Sequence, residues 1–333
     1  MGNARKLRRA LGAVALVLLV LAGAGLYVYG PVLSAKLTGQ ARFLGTDTPK
    51  RYTETVLQLT DLGVYAGSPE YVEAREAALD AARTASSREE LYPLLDAAVA
   101  AAGGKHSALL RAGDETAGSE GTDSTRFAGV EMDGNVAFAA VPEISRHEDG
   151  QRYADTLGEG LTRARDGGAC GAIVDLRGNT GGNMYPMLAG VSPLLPDGPA
   201  FFFQFQAGEM PIEIDGNSVT PAGTALSQPV GKWEVPLAVL VDDHTASSGE
   251  AVMLAFRGLD RSRSFGSPTA GYASSNSVFD FPDGSALLIT QAWDKARTGE
   301  VFGEDPVPPD TDVRLSGTVP AAKDWLRAEY GCS

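Results

Sequence analysis

The chain has 333 residues, enough for one large domain or two smaller ones. Hydrophobic residues make up 44% of it and charged residues 21%, which is typical of a chain with a packed core. The formal net charge of -14 argues against nucleic-acid binding, because that function requires a basic patch.

The N-terminus differs from the rest of the chain. Its first ten residues are basic, with Arg5, Lys6, Arg8 and Arg9 and no acidic residue, and residues 11–29 carry no charge. At 1.5 Å per residue, this apolar stretch is long enough to cross the ~30 Å of hydrocarbon in a bilayer. The pattern predicts a transmembrane anchor in contact with the lipid bilayer through residues 11–29.

The flanks of this stretch predict its orientation. The basic segment 1–10 is expected to stay cytoplasmic, and Tyr27 and Tyr29 suit the outer membrane interface. The protein would then be a single-pass protein of the cell membrane whose larger part is extracytoplasmic. A cleaved signal peptide, with "AGAG" at 22–25 as the cleavage region, is the competing interpretation. Signal peptides have shorter apolar regions, so the sequence favours an uncleaved anchor, and both interpretations export residues 31–333.

Cys170 and Cys332 are the two cysteines. They could pair outside the cytoplasm, but sequence cannot show that they are close, and the interpretation preferred here is two unpaired thiols. Neither a CxxC motif nor a cluster of His and Cys indicates a metal site, and no cofactor is predicted.

The region after the anchor reads as helical. Residues 31–49 are expected to form a membrane-proximal connector, and three helices are predicted within 51–65, 68–85 and 87–104. Ser68 followed by Pro69 marks the start of the second helix, and Ser87 with Glu90 has the spacing of a capping box for the third. The predicted N-terminal segment, connector included, covers residues 30–110, and a polar, glycine-rich loop follows at 111–125.

From residue 126 to the C-terminus, strands and helices alternate. Buried strands are expected at 134–144, 171–178 and 235–243, a helix at 150–168, and a hairpin near 275–292. Alternation of this kind predicts an α/β fold with a largely parallel sheet, preceded by the small helical domain and the transmembrane helix.

Two turns follow buried strands, and in open α/β sheets the sites lie at the carboxyl ends of strands. The first turn, "DLRGNTGG" (175–182), ends in Gly181 and Gly182, where backbone N–H groups can face an anion. A tight turn without function explains the same glycines equally well.

The second turn, "HTASSGE" (244–250), places Ser247 between a strand and a helix. Ser247 and Glu250 have the spacing of a capping box, and most such serines are only helix caps. A serine at such a turn also holds its hydroxyl at the edge of the sheet, where the N–H of Ser248 can stabilise an oxyanion. A nucleophilic serine needs a base, and the three histidines are His106, His147 and His244.

Five segments occur in the same order as in one known family: "DLRGNTGG" (175–182), "TASSGE" (245–250), "GSPTAGYAS" (266–274), "DGSALLIT" (283–290) and "GEDPVPPDTDV" (303–313). Over about residues 100–315 the chain resembles the S41 serine peptidases of the C-terminal processing and tricorn-core type. The resemblance implies a crotonase-like ββα core. It also implies that Ser247 is the nucleophile, and that the N–H of Ser248 and of Gly181 or Gly182 form the oxyanion hole.

One position departs from the Ser–Lys branch of that family. Where those peptidases carry a lysine base, this chain has Tyr272, whose phenol is not a ready base at neutral pH. The chain is similar instead to the branch that includes nisin-resistance proteins, whose members use histidine. In that branch a histidine followed by a small hydroxyl residue serves as base, which fits His106 and Ser107.

The sequence therefore predicts a serine endopeptidase with a Ser247–His106 dyad that cleaves exported peptides or unfolded protein tails. Glu250, Ser107 and Tyr272 are candidates for residues that orient the histidine or support the site. Two alternatives remain open: His244 as the base, and a catalytically inactive protein of the same fold that binds peptides. The oligomeric state is not predicted.

Overall fold

The structure is a computed structural model that describes residues 2–114 and 127–332, so most of the predicted loop at 111–125 lies outside the described residues. The chain forms two compact units. Unit 1 contains the chain up to Asp114 together with Asn276–Gln291, and unit 2 contains the remainder. Residues 276–291 were expected in the core of residues 126–333, and the structure assigns them to the helical unit instead.

The secondary-structure elements alternate as expected beyond residue 127. The helices are α1 (Gly2–Thr38), α2 (Pro49–Thr60), α3 (Pro69–Ala81), α4 (Tyr92–Gly103), α5 (Gly150–Asp166), α6 (Met184–Val191), α7 (Ser248–Phe256) and α8 (Thr318–Tyr330). The strands are β1 (Ala108–Leu110), β2 (Gly129–Asp133), β3 (Val136–Ala140), β4 (Gly171–Asp175), β5 (Gly198–Phe205), β6 (Gly208–Asp215), β7 (Ser218–Thr220), β8 (Thr224–Ala225), β9 (Leu237–Val241), β10 (Ser262–Gly266), β11 (Ser274–Asp280), β12 (Ala286–Ala296), β13 (Val301–Phe302) and β14 (Thr311–Asp312).

Helix α1 continues past the apolar stretch into unit 1. Residues 31–38 of the expected connector are helical, and Val32 and Ala35 are buried in the core of unit 1. Within α1, the segment Leu11–Thr38 is long and apolar enough to span a membrane. The anchor candidate and the first packed helix of unit 1 are therefore one element.

A proline inside α1 is compensated by an arginine from the next helix. Pro31 has no N–H, so the carbonyl of Tyr27, four residues earlier, lacks its helical donor. The Arg51 guanidinium donates to that carbonyl and to the carbonyls of Leu44 and Thr46, and it stacks 3.7 Å from the centre of the Tyr27 ring. Arg51 thereby joins α1, the loop after it and the start of α2.

The predicted helices α2 to α4 pack around buried apolar side chains of unit 1. Helix α4 begins at Tyr92 rather than near Ser87, because Pro93 favours the first turn of a helix and breaks the helical hydrogen bonding before it. The predicted Glu90 contact forms with the hydroxyl of Ser86 instead of with Ser87. Strand β1 then pairs antiparallel with the first residues of β12.

Unit 2 is built around a six-stranded sheet in the order β14-β10-β9-β4-β3-β2. Its strands are parallel except for the edge strand β2, which is antiparallel to β3. Strands β4 and β9 are buried along their whole length, as the continuous apolar runs predict. Unit 2 also contains an antiparallel array in which β5 pairs with the end of β12 and with β6.

The two cysteines form a disulfide, so the preference for unpaired thiols was wrong. Cys170 immediately precedes β4, and Cys332 follows α8, with their Cα atoms 5.6 Å apart. Helix α8 packs its Leu326 against the outer face of the sheet, next to Gly171. Tertiary packing of the C-terminal helix creates this proximity, which local sequence does not encode.

Candidate active site

The two turns singled out in the sequence lie at the same edge of the sheet in unit 2. Strands β4 and β9 are parallel neighbours, with Ala172 paired to Leu237 and Asp175 to Leu240. The turn at 175–182 and the turn at 242–248 follow the carboxyl ends of these two strands and therefore lie side by side.

The buried carboxylate of Asp242 connects the two turns through hydrogen bonds. Asp242 Oδ1 accepts hydrogen bonds from the N–H groups of Gly178 at 2.9 Å and of His244 and Thr245 at 3.1 Å each. The N–H of Ala246 donates to the carbonyl of Asn179 at 2.9 Å. Sequence reasoning missed the role of Asp242, because the acid looked like an ordinary turn residue at the end of a strand.

Ser247 has a strained backbone. Its φ of 52° and ψ of -116° make it the one residue other than glycine with positive φ in the described part of the chain. Such a conformation costs on the order of 1–3 kcal/mol and persists only where surrounding contacts enforce it. A serine held in this way between a strand and a helix is the arrangement of a nucleophile at a sharp turn.

Gly181 of the glycine pair packs directly against Ser247, and Gly182 packs against Ile144. Gly181 and Gly182 have φ values of 115° and 102°, which disfavour side chains. A Cβ on Gly181 would lie 2.9 Å from the Ser247 Cβ and 3.3 Å from its Oγ, and a Cβ on Gly182 would lie 2.0 Å from the carbonyl oxygen of Ile144. Both positions therefore require glycine, and Gly181 forms one wall beside the Ser247 hydroxyl.

The hydrogen bonds distinguish the two glycines as oxyanion donors. The N–H of Gly181 already donates to Asn179 Oδ1 at 2.9 Å. Within residues 2–114 and 127–332, the N–H groups of Gly182 and Ser248 have no acceptor. The Ser248 hydroxyl donates to the Gly182 carbonyl at 2.7 Å and so ties the two residues together. These two N–H groups are the ones that the turn leaves available to an anion.

Glu250 is a buried carboxylate that accepts four hydrogen bonds. Its Oε2 accepts from the N–H of Ser247 at 2.7 Å and of Tyr272 at 2.8 Å, and its Oε1 accepts from the Gly271 N–H at 2.9 Å and the Thr269 hydroxyl. The Glu250 side of the predicted capping box is thus present. A carboxylate has about four acceptor positions, and all of them are engaged within unit 2. This supports a role in holding Ser247 rather than in orienting a histidine.

The same carboxylate brings Tyr272 close to the turn of Ser247. One oxygen accepts from both nitrogens, at 2.7 and 2.8 Å, so the backbone nitrogens of Ser247 and Tyr272 lie within about 5.5 Å of each other. Tyr272 is half-buried. Burial raises the pKa of the Glu250 carboxyl, and the hydrogen bonds of its four donors oppose that shift.

A further buried acid of unit 2, Asp294, was not predicted. It is 1% exposed on the inner face of β12, and its Oδ1 has no hydrogen-bond partner in the described residues. Burial, reinforced by the negative charge of Glu250, raises the pKa of this carboxyl well above its ordinary value. The alternation of buried and partly exposed residues along β12 could have indicated that Asp294 points inward. Nothing in the sequence indicated that Glu250 lies near it.

His106 belongs to unit 1, at the end of a short 3₁₀ turn after α4. Burial, helped by the positive charge of Lys105, lowers the pKa of its imidazole to about 4. The histidine is therefore neutral at neutral pH, which is the form that can accept a proton. The next residue, Ser107, fixes the turn, because its Oγ donates to Thr290 Oγ1 at 3.1 Å and accepts from the Thr290 N–H at 2.9 Å.

The other two histidines lie on exposed turns of unit 2. The His244 N–H donates to Asp242, and its side chain is exposed; the described residues include no acceptor or donor for its imidazole. His147 is exposed and its Nε2 accepts from the Arg146 Nε at 3.3 Å. In the described part of the chain, no group of three or more His, Cys, Asp or Glu side chains is placed to hold a metal ion.

Residues 136–313 match the sequence model of peptidase family S41. The nisin-resistance protein of Lactococcus lactis subsp. lactis is 32% identical over 294 residues, which cover 86% of this chain and 90% of that protein. The chloroplastic C-terminal processing peptidase of Tetradesmus obliquus is 28% identical over 54% of this chain and 38% of its own length.

Two solved structures resemble the fold. A lipoprotein from Streptococcus agalactiae has a TM-score of 0.74 and 27% identity, covering 86% of this chain and 99% of that one. The photosystem II D1 C-terminal processing protease has a TM-score of 0.58 and 15% identity over 81% and 94% of the two chains, which shows similarity of fold alone.

Proposed function

Because the chain belongs to peptidase family S41 and is a serine-type peptidase, we propose that Ser247 is its nucleophile and His106 its general base. The observation that carries this proposal is the strained turn of Ser247. It lies beside the N–H groups of Ser248 and Gly182, which have no acceptor among the described residues. A nucleophile and an adjacent oxyanion hole are what acyl transfer requires.

The reaction follows from these roles. The Ser247 hydroxyl attacks the peptide carbonyl while its proton passes to the neutral imidazole of His106. The negative charge on the tetrahedral intermediate is stabilised by the N–H groups of Ser248 and Gly182, at the N-terminus of α7. His106 then gives the proton to the leaving amine, and water hydrolyses the acyl-enzyme by the same steps.

In this proposal Gly181 leaves space beside Ser247 and does not donate its N–H to the oxyanion. Its own N–H is engaged by Asn179, and its missing side chain leaves space beside the Ser247 hydroxyl. Glu250 holds the N–H of Ser247, and Ser107 holds the turn that carries His106. The crotonase-like arrangement of the core remains a prediction from the family resemblance.

The proposed setting is the extracytoplasmic face of the cell membrane. The segment Leu11–Thr38 is apolar enough to span a bilayer, with a basic segment before it. The substrate would be an exported peptide or an unfolded protein tail, and the name of the Lactococcus lactis relative suggests nisin as a first test substrate. An acidic protein would attract cationic peptides at long range.

The test is turnover of nisin and of a mixed peptide library by the full chain in detergent. Ser247→Ala and His106→Ala are each expected to remove nearly all activity, because nucleophile and base act as a unit. His244→Ala serves as the control and is expected to retain activity.

Two outcomes would contradict the proposal. Loss of activity in His244→Ala with retention in His106→Ala would make His244 the base. If the wild type and all three variants bind peptides but cleave none, the alternative of an inactive peptide-binding protein is favoured.

A further inference from the structure

The loop between α1 and α2 folds back along α1. Arg51 holds the carbonyls of Leu44 and Thr46 and that of Tyr27 at the same time. The Tyr27 ring also lies 3.6 Å from the position of a Cβ on Gly45. Residues 42–46, here called the collar loop, therefore lie at the level of Tyr27 rather than beyond the end of α1.

The level of Tyr27 is set by the length of the apolar segment. Residues 11–29 measure about 28 Å as a helix, close to the ~30 Å hydrocarbon thickness of a bilayer. If this segment spans the membrane, as proposed above, Tyr27 lies at its outer boundary. The collar loop then reaches the headgroup region without any spacer.

The exposed side chains of this region suit that environment. Leu44, in the middle of the collar loop, is 55% exposed, and Arg42, two residues before it, is exposed as well. Between residues 30 and 51 the chain has four basic residues and one acidic residue, whereas the whole protein carries a net charge of -14. Lys50 pairs with Glu54 just after this stretch, and Arg42 is exposed. A local excess of basic residues on an acidic protein favours contact with an anionic surface.

Arg51 is one of these four basic residues. It is 7% exposed, its described hydrogen-bond partners are backbone carbonyls, and no carboxylate pairs with it in the described part of the chain. Its Nε has no acceptor there either. A buried cation without a counter-ion is costly unless anions lie close by.

We propose that the collar loop is a lipid-binding surface, which inserts Leu44 at the membrane interface and places Arg42 against anionic headgroups. The proposal rests on the membrane anchor proposed above. Amphipathic surfaces of this kind combine a buried apolar side chain with basic residues that reach lipid phosphates. Unit 1 would then sit directly on the bilayer surface.

The test uses the full chain in liposomes with an environment-sensitive fluorophore on single introduced cysteines. The two native cysteines are bonded to each other, and the described residues include no free cysteine. The labelled variants are Leu44→Cys, Val17→Cys in the middle of the apolar stretch, and Val72→Cys as an exposed control on α3. Lipids carry quenchers at either shallow or deep positions of the acyl chain.

The expected result is strong quenching of the Leu44 label by shallow quenchers, of the Val17 label by deep quenchers, and none at Val72. Arg42→Glu should weaken quenching at position 44 in anionic liposomes but not change it at position 17. If position 17 is quenched and position 44 behaves like position 72, the lipid-binding collar is wrong and the anchor stands. If neither is quenched, the membrane anchor itself is wrong.

Discussion

Glu250 shows how a single buried side chain can hold a turn in place. It accepts the N–H of Ser247 and three donors from residues 269–272, so it joins Ser247, the proposed nucleophile, to a second loop of unit 2. Its spacing from Ser247 predicted only a helix cap. The three further contacts arise because the fold brings the loop after β10 to the N-terminus of α7.

Glu250→Gln is expected to lower kcat by about 10²-fold with a smaller effect on KM. An amide has one acceptor oxygen and two donor hydrogens, so part of the N–H cluster loses its acceptor and the Ser247 turn shifts. Steady-state kinetics with a cleaved peptide measures this. Glu300→Gln changes an exposed carboxylate that pairs with the partly buried Arg257; it is the control and should leave both constants nearly unchanged. Equal kinetics for the two variants would show that the four hydrogen bonds do not hold the nucleophile.

Asp294 is expected to make stability depend on pH. Its pKa is raised in the folded protein by burial and by Glu250, so above about pH 4 the folded chain keeps a proton that the unfolded chain releases. The free energy of unfolding then falls as pH rises, by up to about 1.4 kcal/mol per pH unit, until the folded pKa is passed.

Asp294→Asn replaces the carboxyl by an amide that does not titrate, so the folding equilibrium no longer depends on the proton at this position. The variant should match the wild type near pH 4 and be more stable than the wild type at pH 8. Urea unfolding at several pH values tests this, with Asp260→Asn as an exposed control. Parallel pH profiles for the wild type and Asp294→Asn would contradict a protonated Asp294.

At the scale of elements, the proposed machinery depends on turns that the ends of strands and helices position. The parallel pairing of β4 and β9 places the glycine turn beside the serine turn, and the short turn after α4 carries His106. Residues 286–288 of β12 belong to unit 1 and pair with β1, and residues 293–296 belong to unit 2 and pair with β5. The sequence indicated each element, but not these pairings.

Gly103→Ala is expected to disturb the turn that carries His106. A Cβ at this position would lie 2.0 Å from Ser107 Oγ and 2.6 Å from Ile289 Cδ1, so the turn must move. We expect a loss of about 1–3 kcal/mol in unfolding free energy and about 10²-fold in kcat. Both are measured on the purified chain by denaturant unfolding and steady-state kinetics.

Gly67→Ala is the control, because a Cβ there meets nothing within 4 Å. It should leave stability and kcat close to those of the wild type. Full activity in Gly103→Ala would argue that the position of this turn does not matter and would weaken the assignment of His106.

At the scale of the whole molecule, the disulfide ties the last residues of the chain to the sheet that carries Ser247. It joins Cys170, before β4, to Cys332 across 162 positions of sequence. Since a crosslink over a long loop restricts the unfolded chain, Cys332→Ser is expected to cost about 2–5 kcal/mol of unfolding free energy.

Denaturant unfolding with and without a reductant measures this contribution. Reductant should destabilise the wild type and leave Cys332→Ser unchanged. Activity under native conditions should survive in the variant, because the bond lies at the opposite end of β4 from the glycine turn. Equal stability of the oxidised wild type and the variant would contradict the stabilising role.

The sequence by itself determined most of the elements and the peptidase family of the chain. Apolar periodicity predicted most strands and helices, and the short-range motifs around Ser247 and Gly181 identified the family before any coordinate was known. These features depend on neighbours in sequence, so they can be read locally. Tertiary structure alone decided that residues 276–291 belong to the helical unit, that Cys170 meets Cys332, and that Gly182 rather than Gly181 keeps its N–H available. Those outcomes depend on contacts between distant segments, which packing and hydrogen bonding select only when the whole chain is folded.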